Sequence, residues 1–270
     1  MDVNKVLVIP DVHGRNFWRK AIDENANKVS KVVFLGDYFD PYSYEYDDNP
    51  ESMEKVDDEL GLLPELTDIV KLKENEPDKY VLLLGNHDLH YLWKNFTRSS
   101  RLDKWNYNIY HEFFSEFQDM FQLVYTKGDI IFSHAGISFG WAKEFLNKYM
   151  KYADEALVNL VNSDVIEECA NVLEDTPIEK MNSSYIDALS LISSYRGGFS
   201  KTGSCVWADI REHISDVENG KIIGNKTPGI FQVFGHTQLE EKDVVTDYWA
   251  CMDNRKAHIV DVYTYEITIV

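Results

Sequence analysis

Residues 81–88 read VLLLGNHD: four aliphatic residues, a glycine, then three side chains that bind metals or carry protons. The same arrangement recurs along the chain. Val3–Ile9 runs into Asp11-Val12-His13-Gly14, and Val32–Leu35 into Gly36-Asp37-Tyr38-Phe39-Asp40. Ile130–Ser133 runs into His134-Ala135-Gly136, and Ile230–Phe234 into Gly235-His236-Thr237. Short β-rich aliphatic runs bounded by turn residues read as buried strands. Five strands that empty into polar clusters at their carboxyl ends constrain the fold strongly. In open α/β sheets, ligands bind in the crevice beyond those ends. Glycine beside each cluster lets the backbone turn sharply and approach a ligand closely.

Between the strands the pattern is helical, over 16–27 and over 51–75, the latter as one helix or as two broken at Pro64. Strands alternating with helices at this spacing predict βαβ units, an α/β fold and a sheet with a parallel core. After residue 120 the pattern changes. Leu123–Thr126 and Ile130–Ser133 flank Lys127-Gly128-Asp129, a tight hairpin. Residues 138–194 are mostly helical in pattern. Short strands are expected at 221–223, 230–234, 243–247, 257–262 and 264–269, forming a second, largely antiparallel sheet. No repeat, low-complexity stretch or linker interrupts the chain, so 1–270 reads as one domain.

With 44% hydrophobic residues in 270, a sizeable core can form. The 27 basic residues against 46 acidic give a net charge of −19 with no basic stripe, which argues against a nucleic-acid partner. The charge does not exclude nucleotide substrates, because bound metal could supply the positive potential. The three cysteines are odd in number and far apart, which fits reduced intracellular thiols. MDVNKVLVIPD lacks a basic start, and no run reaches the roughly 18 apolar residues that span a membrane. The expectation is a soluble, cytoplasmic protein without a membrane partner.

Carboxylates, imidazoles and an amide oxygen suit two divalent ions, Mn²⁺ foremost, with iron or zinc also compatible. Asp11 and His13 lie two apart on an extended segment and can point the same way. Asp37 can bridge two ions, and Asn86, His134 and His236 can complete the second. His87 is then left to protonate a leaving group, with Asp40 holding its ring. Singly these signals are ordinary: Asp11-Val12-His13 suits any loop, and His134 any satisfied buried histidine. In order, each after an apolar strand, they are more than turn chemistry. His90, His111, His213 and His258 read as bystanders. The acidic stretch 47–59 reads as a solvated loop and helix start.

The set Asp11-x-His13, Gly36-Asp37-x-x-Asp40, Gly85-Asn86-His87-Asp88, His134 and Gly235-His236 resembles the calcineurin-like metallophosphoesterase superfamily, its phosphoprotein phosphatase branch most closely. The likeness covers residues 6–237. It implies a sandwich of two mixed β-sheets flanked by helices, with a helical cap insertion about 138–200. It implies Asp11, His13 and Asp37 as ligands of one metal, and Asp37, Asn86, His134 and His236 as ligands of the other. It also implies His87 with Asp40 as the acid pair. Many members of that branch continue the second aspartate as Asp-Arg-Gly, where the arginine grips phosphate. Here Pro41-Tyr42 follows Asp40. Arg196 and Arg211 are the candidates for the substrate phosphate, with Arg15 a further one. Gln238 stands where phosphodiesterases of the superfamily usually carry a second histidine. The expected function is therefore a dinuclear metal-dependent phosphoesterase using attack by metal-bound hydroxide. It would hydrolyse phosphate monoesters, phosphoserine or phosphothreonine in proteins foremost. A hydrolase of dinucleoside polyphosphates or other nucleotides is the alternative enzyme, and a binding protein with an inactive metal site the alternative of another class.

Overall fold

Val6, Leu7, Val8 and Ile9 have no solvent exposure, and the strand they belong to, β1 (Asp2–Ile9), lies inside a six-stranded sheet. The computed structural model describes residues 2–149, 162–221, 230–240 and 243–270. These fall into two units, Met1–Gln122 with Arg255–Val270, and Leu123–Asn254.

In the first unit, β1 pairs in parallel with β2 (Val29–Phe34), β2 with β3 (Tyr80–Leu83), and β3 with β4 (Phe121–Gln122). On its other side β1 pairs antiparallel with β10 (His258–Asp261), which carries β11 (Ile267–Ile269) outside it. The predicted parallel core is thus present. The crossover α1 (Phe17–Asn25) buries Trp18, Ala21 and Ile22, and α3 (Leu63–Asn75) buries Leu66, Ile69 and Val70. This i, i+3, i+4 spacing gives one apolar stripe. Pro64 opens α3 in its first turn and does not break it, since proline at that position lacks only an N–H with no helical partner. Residues 51–62 ahead of it are one 3₁₀ turn, Pro50–Ser52, and irregular chain. Helices α4 (Asn86–Leu92) and α5 (Tyr107–Glu116) lie between β3 and β4; α2 (Ser43–Asp48) follows β2.

One buried acid in this unit carries a stability prediction. Glu65 is 3% exposed; its Oε1 accepts from Trp18 Nε1 at 3.3 Å, while Oε2 has no hydrogen-bond partner. Burial, then the charge of Glu54, pushes its carboxyl well above the ordinary range. The folded chain therefore keeps this proton to higher pH than the unfolded chain does. The associated stability is fully present below the unfolded value of about 4.3 and is lost as pH rises through the folded value. Glu65→Gln should match the wild type near pH 4 and gain about 1–3 kcal/mol near pH 8. Thermal midpoints at the two pH values measure this, and an equal shift at both would rule out ionisation as the cause.

In the second unit, β5 (Val124–Lys127) and β6 (Ile130–Ser133) form the predicted hairpin around Gly128-Asp129, with Lys127 opposite Ile130. β7 (Phe231–Phe234) pairs in parallel with both β6 and β9 (Trp249–Cys251); β8 (Val244–Val245) pairs antiparallel with β9. The second sheet is therefore mixed where a largely antiparallel one was expected. The strands expected at 257–262 and 264–269 belong to the first sheet. Apolar alternation marks a strand but does not name its neighbour, and the open edge of β1 takes β10. Of the strand expected at 221–223 only Lys221 lies within the described residues, in a bend. The helical region 138–200 contains helices at Phe139–Glu144, Asn162–Glu174 and Ser183–Leu189, with 150–161 outside the described residues. The three cysteines are buried and in no disulfide. Among the described residues no helix is long and apolar enough to cross a membrane.

Candidate active site

Strands β1, β2 and β3 are parallel neighbours, so the loops leaving their carboxyl ends share one sheet edge. The backbone there is strained. His13 (φ 46°), Asp37 (φ 53°) and Asp40 (φ 58°) occupy the left-handed region, as does His236 (φ 63°) in the second unit. Among the described residues seven non-glycine positions do so, and four of them are predicted site residues. Such conformations cost about 1–3 kcal/mol each and cluster at functional sites. The loops after β2 and β3 touch: a Cβ on Gly36 would meet the Gly85 nitrogen at 2.4 Å. Asp88 fastens them. Its Oδ2 accepts from the Asp37 and Gly85 N–H groups at 2.7 and 2.8 Å, and its Oδ1 from the Tyr38 N–H at 2.9 Å. Phe39 is fully buried against Tyr91, Tyr110 and Phe114, which anchors the segment between Asp37 and Asp40.

The fit to a metal can be read from proton positions. His13 Nδ1 lies 2.6 Å from the Phe39 carbonyl, which only accepts, so Nδ1 carries the proton. The Nε2 lone pair then faces Asp37 Oδ2 at 3.5 Å. Burial drives the His13 pKa down to about 3, against the pull of Asp37, so the imidazole is neutral. A lone pair and a carboxylate oxygen facing each other in a buried place call for a cation between them. Asp11 is buried on the same strand end. Asn86 is oriented by Ser99: the Ser99 hydroxyl donates to the Asn86 carbonyl (2.9 Å), so its oxygen accepts from Asn86 Nδ2 (2.8 Å) and the amide oxygen turns away. His13, Asp37 and His87 place one ligand atom each within 4.8 Å of one another. The donor set fits a divalent ion that takes nitrogen and oxygen.

The predicted acid pair meets. His87 Nδ1 donates to Asp40 Oδ2 at 2.7 Å, and the His87 backbone N–H donates to Asp37 Oδ1 at 2.9 Å. Burial alone would raise the Asp40 carboxyl, but hydrogen bonds from His87 and His90 outweigh it and hold the group below its ordinary range. Tyr91 donates a short hydrogen bond to Asp40 Oδ1, and Arg101 Nε donates to the Asp40 carbonyl at 2.8 Å while its guanidinium lies 3.6 Å over the Tyr42 ring. Asp88, His90, Tyr91, Ser99 and Arg101 were not among the predicted site residues. His87 and His90 sit three apart on α4, so they share a face; that signal was available for His90. No sequence signal marks Ser99 or Arg101. Arg15, the further arginine candidate, binds Glu45 through Nε and Nη2 at 3.0 Å and the Asp11 carbonyl through Nη1 at 3.1 Å. These contacts brace the β1 loop.

The second unit carries the other predicted ligands. β6 and β7 are parallel neighbours, so His134 and His236 leave the same edge. His134 Nε2 and His236 Nδ1 lie 3.0 Å apart, and Gly235 N–H donates to the His134 carbonyl at 2.8 Å. The Trp207 ring meets His236 edge-on. Arg196 Nη2 donates to the His236 carbonyl at 3.1 Å and to Thr237 Oγ1 at 2.6 Å, and its Nε pairs with Asp209 at 2.9 Å. Arg211 grips Asp209 through two nitrogens, at 2.6 and 3.0 Å, and also reaches the Tyr195 carbonyl. Burial opposes the Asp209 charge, but Arg211 and Arg196 prevail and hold its carboxyl below the ordinary range. His213 is buried with Nε2 3.0 Å from the Ala135 carbonyl and belongs to the core.

Comparison with known proteins places the chain in a family. The calcineurin-like phosphoesterase family profile matches residues 4–238. The chain is 27% identical over 177 residues to the serine/threonine-protein phosphatase 2B catalytic subunit A2 of Saccharomyces cerevisiae, a match that spans 63% of this chain and 26% of that relative. The chain thus spans about a quarter of that relative's length. A cold-active protein-tyrosine phosphatase of a psychrophilic Shewanella species shares the fold, with a TM-score of 0.56 and 13% identity over 99% of this chain and 80% of that one. A protein serine/threonine phosphatase from S. cerevisiae, with similarity to human phosphatase PP5, does so with a TM-score of 0.50 and 14% identity over 96% and 73%.

Proposed function

This chain belongs to the calcineurin-like phosphoesterase family, and we propose that it is a dinuclear metal-dependent phosphatase of phosphate monoesters, with phosphoserine and phosphothreonine in proteins the leading substrates. The carrying observation is the neutral His13 whose Nε2 lone pair faces the Asp37 carboxylate. Asp11, His13 and Asp37 would hold one ion, and Asp37, Asn86, His134 and His236 the other. Mn²⁺ suits this mixture of oxygen and nitrogen donors. When bound, a pair of such ions polarises phosphoryl oxygens and acidifies water.

The chain's own groups supply the rest. His87, hydrogen-bonded through its Nδ1–H to Asp40, turns Nε2 towards the departing ester oxygen and hands it the Nε2 proton. Arg196, lying against the His236 backbone, is the proposed contact to the substrate phosphate; Arg211 serves that role by fixing Asp209, the carboxylate that Arg196 also binds. An acid pair suits loss of an alkoxide, the leaving group of phosphoserine, which departs poorly without a proton. The missing second histidine at Gln238 supports a monoesterase over a diesterase.

The reading is tested with metal-stripped protein, to which Mn²⁺ is returned before assay. The panel is p-nitrophenyl phosphate, its bis ester, phosphoserine and phosphothreonine peptides, and a dinucleoside polyphosphate. Activity should vanish with chelation, return with Mn²⁺, and favour the monoesters. Preference for the bis ester or the dinucleotide would replace the monoesterase reading, and activity unchanged in excess chelator would end the metal-dependent one.

A further inference from the structure

We infer that His90 and Tyr91 are positioning residues of the acid pair, holding the Asp40 carboxylate so that His87 meets the leaving group squarely. The inference rests on the phosphatase reading above and deepens it. Asp40 is enclosed on every side that the acid pair does not use. Tyr91 donates to its Oδ1, His90 Nε2 lies 3.0 Å from its Oδ2, and Arg101 holds its backbone carbonyl. The backbone at Asp40 is itself in the left-handed region, so without such anchors the side chain has no reason to keep this direction.

By distance alone Asp40, His87 and His90 could hold a cation. Proton positions decide otherwise. The Ser99 backbone N–H points at His90 Nδ1 at 3.1 Å, and a backbone N–H only donates. His90 Nδ1 is therefore the acceptor, Nε2 carries the hydrogen, and that hydrogen lies towards a carboxylate. A lone pair for a metal is not available there. The Tyr91 hydroxyl meets the geometry of a hydrogen bond to Asp40 Oδ1, which the His90 contact does not. Tyr91 is held in turn, its hydroxyl accepting from the Asp103 N–H at 2.8 Å. Ser99, Arg101 and Asp103 belong to one loop, and that loop reaches Asn86, His90, Tyr91 and Asp40. The segment between α4 and α5 thus sets the aim of the proton donor.

In the step concerned, the bond from phosphorus to the ester oxygen breaks and the His87 Nε2 proton passes to that oxygen. A water hydroxyl completes the phosphate, and the water's remaining proton restores His87. Aim matters because displacement of a catalytic group by about 1 Å can cost 10²-fold. The test compares two substrates, phenyl phosphate, whose leaving group needs the proton, and 2,4-dinitrophenyl phosphate, whose leaving group does not. Tyr91→Phe keeps the ring and deletes only the hydroxyl. It should lower kcat on phenyl phosphate by roughly 10–100-fold and on the dinitrophenyl ester by about 2-fold or less, with KM and metal content close to wild type and a lowered thermal midpoint that leaves the protein folded at the assay temperature. His90→Leu should show the same selectivity more weakly, and His90→Gln, which keeps a donor, should recover it. His87→Asn is run beside them. Selective loss in His87→Asn but equal loss on both esters, or none, in Tyr91→Phe and His90→Leu would overturn the positioning role alone. Equal loss on both esters in His87→Asn would overturn the acid pair and this inference with it.

Discussion

Replacing His87 with Asn will cut turnover of phosphomonoesters by about 10²–10⁴-fold, the usual worth of a general acid, and will leave bound metal in place. Two features separate these outcomes. The ring of His87 is committed to Asp40 through Nδ1. Its link to the proposed bridging ligand runs through the backbone, from the His87 N–H to Asp37 Oδ1, and substitution of the side chain preserves that link. Asparagine is also tolerated early in a helix, where residue 87 lies. Steady-state kinetics with elemental analysis of the purified variant measure both quantities. Turnover equal to wild type would remove His87 from the chemistry, and loss of metal would make it a ligand.

Asp37→Asn should have the opposite signature: metal and activity disappear together. Asparagine tolerates the left-handed backbone of residue 37, and its carbonyl oxygen can still accept from the His87 N–H. What is removed is the charge. Affinity for Mn²⁺ should fall by more than the roughly 10–100-fold that losses around a metal site usually cost. The metal-free protein should behave differently. The new amide nitrogen would stand where Oδ2 now faces the His13 lone pair, turning two opposed acceptors into a donor and an acceptor. The thermal midpoint of the metal-free variant should therefore equal or exceed that of the metal-free wild type. Calorimetric titration with Mn²⁺ and melting of stripped protein decide the matter, and undiminished Mn²⁺ affinity would refute the ligand role of Asp37.

Much of this was readable before any coordinates. The buried strands announced themselves as unbroken aliphatic runs, and β1, β2, β3, β6 and β7 lie within a few residues of where those runs end. The His87–Asp40 contact was also foreseeable, since the loops after neighbouring parallel strands meet. What resisted reading was partnership at long range. Nothing in His258–Asp261 says that it pairs with β1, because alternation specifies a face and not a neighbour. Asp88 looks like one more polar residue after a glycine, yet it ties three backbone N–H groups from two loops. His90 read as a bystander because its partner, Asp40, lies 50 positions earlier in the sequence. Ser99 and Arg101 act through loop geometry, which local preferences do not encode.

The pairing of β1 with β10 also bears on how the chain is made. The first sheet is built from residues 2–122 and closed by residues 258–269, whereas the second unit is continuous from 123 to 254. During synthesis the aliphatic flank of β1 must wait for a partner encoded about 250 codons downstream, on the order of tens of seconds at ordinary elongation rates. Chains truncated before residue 258 and released should accordingly resist protease in residues 123–254 while residues 2–122 stay open to digestion and to chaperones.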